Sequence, residues 1–280
     1  MTAQTLQRCR SLLFLPASNA RAIEKAKTLP ADLVILDLED SVRLEDKDEA
    51  RRMALEALPA FEGRQIAVRI NTFGGDQFGQ DVVAFRNLKE VAIVLPKVER
   101  AQQAHESGRL FSHHALAMIE TPAGVADARA IAAETDALIA GTNDLAAGLG
   151  LPPVSGRAGL AYSLQAIVLA ARLHGAAVFD GVFNGLEDEI GLERECAEGR
   201  SFGFDGKSAI HPGQLDIINR AFSPSQAEIE AARRLVAAAT GGAERHEGRM
   251  IEAMHVDQAR VVLARAGEDG ESLASTGDAP

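Results

Sequence analysis

Eight short, unbroken apolar runs recur along the first three-quarters of the chain, each followed by a longer helical or polar stretch. The runs are Ser11–Leu15, Leu33–Leu38, Ile66–Ile70, Val91–Leu95, Ala115–Ile119, Ala137–Ala140, Ala177–Phe179 and a weak one at Gly206–Ile210. Continuous rather than alternating hydrophobicity means strands covered on both faces, as in a parallel sheet. Between them lie amphipathic stretches at Ala20–Lys27, Lys47–Leu58, Val98–Gly108, Gly124–Glu134, Gly159–Gly175, Leu186–Gly199 and Pro212–Ala221, with a poorer candidate at Asp81–Leu88. Eight strand–helix units in roughly 220 residues match an α/β fold of the (β/α)8 TIM barrel type, with additional C-terminal helices. An open doubly wound sheet is the alternative, but no glycine fingerprint follows the first strand.

The pattern changes after Ala221. Ser225–Ala239 predicts a further helix, Thr240–Arg249 a polar linker, and Met250–Ala266 a last amphipathic helix. Gly267–Pro280 is small, polar and acidic. The expected organisation is therefore a catalytic barrel over 1–222, a helical extension over 223–266 and a disordered tail over 267–280.

Charge and composition narrow the partners. Twenty-nine Lys and Arg against 40 Asp and Glu leave a net charge of −11, and there is no Trp and one Tyr. This argues against a nucleic-acid partner, which needs a basic surface and stacking aromatics. An anionic small molecule would need a local basic patch. No apolar run reaches the length of a membrane span or a signal core. Two cysteines, Cys9 and Cys196, form no disulfide framework, so a cytoplasmic location is expected.

Polar residues cluster at the ends of the apolar runs. The second run leads into Asp37, Glu39, Asp40 and Ser41, the third into Arg69 and Asn71, the fourth into Lys97 and Glu99. The fifth leads into Glu120, the sixth into Asn143 and Asp144, and the eighth carries Asp205 and Lys207. In a TIM barrel these ends converge on one mouth, where active sites sit. Glu120 and Asp144 follow adjacent strands, and two hard oxygen ligands completed by water and substrate suit Mg2+. Either carboxylate alone also reads as a helix cap or half of a structural ion pair. Arg69, flanked by Val68 and Ile70, reads either as the partner of one of these acids or as a clamp for an anion or enolate.

Several words along the chain resemble the citrate lyase β-subunit family of the HpcH/HpaI aldolase superfamily. They are RSLLFLP at Arg10–Pro16, VILDLEDSV at Val34–Val42, VRIN at Val68–Asn71, VLPKVE at Val94–Glu99, IETPAG at Ile119–Gly124, AGTNDLAAGL at Ala140–Leu149 and GFDGKSAIHPGQ at Gly203–Gln214. The resemblance implies a Mg2+-dependent carbon–carbon lyase of a 3-hydroxyacyl-CoA thioester of the citryl-, malyl- or citramalyl-CoA type, releasing an acyl-CoA and a 2-oxo acid by retro-Claisen chemistry. It implies Glu120 and Asp144 as metal ligands and Arg69 as the substrate and enolate contact. Asp37 and Glu39 would stand by the metal site, either Asp37 or a water held by Glu39 serving as base. Arg10, Arg21, Lys25 and Lys27 would bind substrate or CoA. A homotrimer is the family expectation.

Two departures stand out. Pro16-Ala17 replaces the family's Pro-Gly, and Met250-Ile251-Glu252 replaces a Met-Ile-Asp or Met-Val-Asp word whose aspartate serves a neighbouring subunit as acid/base. Glu252 keeps the carboxyl with one more methylene. Other readings are a class II aldolase acting on free 4-hydroxy-2-oxo acids, without CoA, and a lyase subunit active only within a larger complex.

Overall fold

The structure is a computed structural model that describes residues 3–88, 90–111, 114–152, 156–239, 244–246 and 249–268. The chain divides into two compact units, Met1–Phe222 and Ser223–Pro280.

The first unit is a closed barrel of eight parallel strands in sequence order, β8 pairing with β1. The strands are β1 (Ser11–Pro16), β2 (Leu33–Asp37), β3 (Gln65–Arg69), β4 (Val91–Leu95), β5 (Ala115–Ile119), β6 (Ala137–Ala140), β7 (Ala177–Asp180) and β8 (Gly206–Ala209). The helices are α1 (Ala3–Gln7), α2 (Ala20–Ala26), α3 (Lys47–Ala57), α4 (Phe78–Phe85), α5 (Ala101–Phe111), α6 (Pro122–Ala132), α7 (Thr142–Gly148), α8 (Ala161–His174), α9 (Glu189–Phe202) and α10 (Leu215–Phe222).

Strand alternation builds two apolar layers. Inward residues such as Leu12, Ile35, Val94, Leu116, Ile139 and Phe179 fill the barrel, and Leu6 of α1 joins them. Outward residues such as Leu13, Leu36, Val68, Ile93 and Val178 pack with the helix faces. This double burial is why the strands read as continuous apolar runs. A fully buried Phe such as Phe179 contributes about 1.5–3 kcal/mol through its apolar area.

The weak eighth run becomes a strand through backbone fit and ion pairing. A Cβ on Gly206 would stand 2.4 Å from the Arg10 carbonyl oxygen, so only glycine lets β8 close on β1. Lys207, fully buried, donates to Asp180 Oδ2 (2.9 Å), Gly181 O (2.7 Å) and Glu195 Oε1 (2.7 Å). Helix α4 forms despite its poor pattern because buried Asp81 is a tertiary tie. It accepts from Asn71 N and Nδ2 (both 2.8 Å) and from Arg51 Nε (2.8 Å).

The second unit holds α11 (Gln226–Ala238), β9 (Glu244–His246), β10 (Arg249–Ile251) and α12 (Ala253–Arg265). Its helices share a small apolar cluster of Ala232, Ala259 and Leu263. The expected polar linker at Thr240–Arg249 is corrected here: β9 and β10 form an antiparallel ribbon in which Met250 pairs with Arg245. Ile251 in β10 is 5% exposed. The last helix starts after Glu252, not at Met250, because Glu252 is an extended N-cap. Of the expected tail, 269–280 lies outside the described residues. Among the described residues no helix is long and apolar enough to cross a membrane.

Candidate active site

A cavity of about 370 Å3 opens where the strands end. Asp37, Asp40, Ser41, Arg69, Glu120 and Asp144 line it together with apolar Phe14, Met118, Val182 and Ile210. Residues 107 positions apart in the chain thus meet at the C-terminal mouth of the barrel, where this architecture carries its chemistry.

Arg69, the last residue of β3, turns inward. Its Nε and Nη2 each donate to one oxygen of Asp37, the last residue of β2, at 2.6 Å. The register that pairs Asp37 with Arg69 across the strands produces this fork. The guanidinium also lies 3.4 Å from Glu39, 3.6 Å from Met118 Sδ and 5.4 Å from the centre of the Phe14 ring. Arg69 is thus ion-paired with Asp37 and Glu39, not with Glu120 or Asp144, and it lines the cavity. Burial opposes its charge, but the Asp37 bonds outweigh burial and hold it more firmly protonated than a free arginine.

Asp37, which the family resemblance offered as a base, is held here in an ion pair that draws its pKa down. Burial pushes its pKa up, yet Arg69, the Ser41 side chain and the Glu39 amide (2.9 Å) bring it below the usual carboxylate value; Ser41 N also donates to it at 3.3 Å. An acceptor so well satisfied orients Arg69 and does not take a proton.

Glu120 follows β5 and is 4% exposed. Its Oε1 accepts from Lys97 N at 2.7 Å. A Cβ on Gly141 would stand 2.5 Å from its Oε2, so the glycine after β6 makes room for the carboxylate. Burial is the main cause that pushes its pKa up to about 7, with repulsion from Glu39 and Asp144 adding to it. Asp144 stands in the first turn of α7, with its side chain 44% exposed towards solvent.

Lys97, named in the sequence only as a polar residue after the fourth apolar run, is a further residue of the site. It stands left-handed, with φ of 51°, just after β4. That twist aims its N–H at Glu120, while its Nζ reaches Glu39 (2.6 Å), Asp40 (3.2 Å) and Asp144 (3.9 Å). One lysine thus ties four carboxylates together by two different groups. Burial lowers its pKa, but Glu39 and Asp40 raise it further and keep it charged. Burial likewise raises Glu39 above its usual value, against the Lys97 bond. A non-glycine left-handed residue at a strand end is a signal that only coordinates reveal.

Other sequence candidates lie apart. Arg10 is a correction: it precedes β1 at the opposite end of the barrel. There its N, Nε and Nη2 bond Asp32 (2.7, 2.8 and 2.9 Å), which closes the barrel floor and not the mouth. Arg21 and Lys25 extend from α2 into solvent, and Lys27 pairs with Glu24 at 2.5 Å. None of these three lines the cavity. Glu252 belongs to the second unit, where its N–H donates to His255 Nδ1 (3.0 Å). Ala17, which replaces the family glycine, is fully buried, is not among the residues with positive φ and donates to Asp37 O (2.9 Å). The position does not require glycine's freedom.

Among the described residues no three His, Cys, Asp or Glu side chains gather closely enough to enclose a metal. Glu120 and Asp144 offer two hard oxygen donors, and Glu120 is a buried acid whose ionisation lacks sufficient positive charge. That donor set fits Mg2+, which keeps waters and substrate oxygens in its shell, and does not fit a closed zinc site.

Residues 10–212 match the family model described as HpcH/HpaI aldolase/citrate lyase. The chain belongs to this family. Residues 156–270 also match a model described as a C–C bond lyase of the TIM-barrel fold. A (3S)-malyl-CoA thioesterase of Cereibacter sphaeroides (strain ATCC 17023) is 42% identical over 269 residues, covering 92% of this chain and 94% of the relative. The citrate lyase subunit beta of Escherichia coli (strain K12) is 33% identical over 280 residues, covering 92% and 93%. The crystal structure of protein CitE from Mycobacterium tuberculosis in complex with magnesium, acetoacetate and coenzyme A superposes with a TM-score of 0.80. It is 33% identical and covers 94% of this chain and 100% of that one.

Proposed function

We propose that this chain is a Mg2+-dependent lyase that splits a 3-hydroxyacyl-CoA thioester into an acyl-CoA and a 2-oxo acid. The observation that carries the reading is one cavity in which buried Glu120, Asp144 and an Asp37-held Arg69 face a common space. The ligands of the Mycobacterium tuberculosis relative, magnesium, acetoacetate and coenzyme A, have the chemistry that such a cavity suits.

Glu120 and Asp144 would hold the ion. When bound, Mg2+ supplies a Lewis acid that polarises the hydroxyl or oxo group of the acid half of the substrate. Arg69 donates to the thioester oxygen on which charge builds as the carbon–carbon bond breaks, an oxyanion contact made strongest at that moment. Asp37 fixes the plane of the guanidinium. A water held by Glu39 relays the hydroxyl proton to the Glu39 carboxylate. Glu252 of a neighbouring subunit returns a proton to the enolate carbon in a homotrimer. Arg21, Lys25 and Lys27 on and beside α2 supply the positive charge that CoA phosphates need on an otherwise acidic protein.

Hydrolysis of the same thioester is the second reading, because relatives 42% identical to this chain are named (3S)-malyl-CoA thioesterases. Product analysis with malyl-CoA and Mg2+ separates the two. Acetyl-CoA and glyoxylate mark carbon–carbon cleavage. Malate and free CoA in their place would replace lyase with thioesterase, and no turnover of malyl-, citramalyl- or citryl-CoA by the chain alone would favour a subunit of a larger assembly.

A further inference from the structure

We infer that the Ser208 hydroxyl contacts the substrate and binds an oxygen of its acyl-thioester half; the inference rests on the proposed CoA-thioester reading. Ser208 lies between two residues of β8 that face outward. Lys207 reaches Glu195 on α9, and Ala209 packs in the layer between strands and helices. Alternation along a strand therefore turns Ser208 towards the barrel interior, and it lines the same cavity as Arg69 and Glu120.

Ser208 is 2% exposed, and its Oγ has no hydrogen-bond partner within the protein. By contrast, Ser11 Oγ, on the outward face of the neighbouring β1, accepts from Asp32 N at 3.2 Å. A buried hydroxyl is ordinarily satisfied, and leaving one unmade is costly. At the floor of a cavity lined nearby by Phe14, Val182 and Ile210, one unsatisfied hydroxyl is the kind of sparse polar group that orients a ligand.

Its position in the ring indicates which part of the ligand it meets. β8 is three strands from β5, which carries Glu120, and it pairs directly with β1. A 2-oxo acid held at Glu120 and Asp144 stands two to three strands round the ring from Ser208. Helix α2, with its basic residues, follows β1 directly, so the thioester arm enters on the Ser208 side. The carbonyl oxygen of that arm accepts the hydroxyl hydrogen.

Titration calorimetry with acetyl-CoA, free CoA and, with Mg2+ present, pyruvate tests this on the wild type and on Ser208→Ala and Ser208→Thr. Ser208→Ala should bind acetyl-CoA about 3- to 10-fold more weakly. CoA, which lacks the acyl thioester carbonyl, and pyruvate should bind unchanged. Ser208→Thr should restore acetyl-CoA binding. The ligand-free Ser208→Ala protein should melt no lower than wild type, because the hydroxyl it loses supports nothing in the fold. Unchanged acetyl-CoA affinity, an equal loss for CoA, or a loss confined to pyruvate would overturn the assignment. Wild-type protein that binds neither acetyl-CoA nor CoA would instead remove the CoA-thioester reading on which it rests.

Discussion

Arg69 and Glu120 show how single residues divide the labour at this mouth. Arg69 donates two 2.6 Å bonds to Asp37, so its guanidinium is already in place when charge develops opposite it. Arg69→Leu should lower the cleavage rate by about 10²–10³-fold while circular dichroism and gel filtration stay native; near wild-type turnover would remove the role. Glu120 carries a different signature. Its carboxyl, pushed up to about 7 from 4.5 chiefly by burial, binds more protons in the folded metal-free protein than in the unfolded chain between those values. The sign follows: Glu120 favours the fold least above pH 7, and its penalty fades as pH falls towards 4.5. Glu120→Gln should therefore stabilise the metal-free protein at pH 8 by about 1–3 kcal/mol and have little effect at pH 4.5, read by denaturant melts at both pH values. Mg2+ must displace that proton, so wild-type Mg2+ affinity should fall about tenfold per pH unit below 7. A pH-independent affinity, or a Glu120→Gln protein equally stable relative to wild type at both pH values, would contradict the burial argument.

Among the elements, the last two strands depend most on charge. β7 and β8 meet around Asp180 and Lys207, both fully buried, with Arg157 donating to Asp180 Oδ1 (3.1 Å) and Glu198 Oε2 (2.7 Å). Removing one partner strands the other, so Lys207→Met should destabilise the barrel by about 3–5 kcal/mol in urea melts, and a change below 1 kcal/mol would mean that Asp180 re-pairs with Arg157 alone. This network also explains what could be read from the sequence. Strands such as Val91–Leu95 and Ala115–Ile119 were legible to the residue because both faces meet hydrocarbon. β8, GKSA, was faint because its outward lysine is buried by ion pairs and not by apolar contact. The β9–β10 ribbon was missed because its sequence is polar and glycine-bearing. At the site, the carboxylates and Arg69 stood out as charges after apolar runs. Lys97 stood out in the same way but without a role, because its part at Glu120 is played by a backbone N–H and a left-handed φ. Arg10 looked like part of the site only through its place in a motif; its Asp32 pair, 22 residues away, comes from the fold.

For the whole molecule, the proposed trimer and the proposed role of Glu252 make a joint prediction. Light scattering should report three times the 29.7 kDa chain. If each site combines Arg69 of one chain with Glu252 of the next, Arg69→Leu and Glu252→Gln proteins, each impaired, should regain about a quarter of wild-type activity when co-assembled from equal amounts. No recovery would confine each site to one chain. All of this depends on a divalent cation between Glu120 and Asp144, across from Arg69. Crystals grown with Mn2+, which accepts the same oxygen ligands as Mg2+, provide the most direct measurement, through the manganese anomalous signal. A single strong peak is expected within bonding distance of both carboxylates and facing the Arg69 guanidinium; a peak elsewhere, or Lys97 remaining among those carboxylates with no metal bound at saturating Mn2+, would contradict this site.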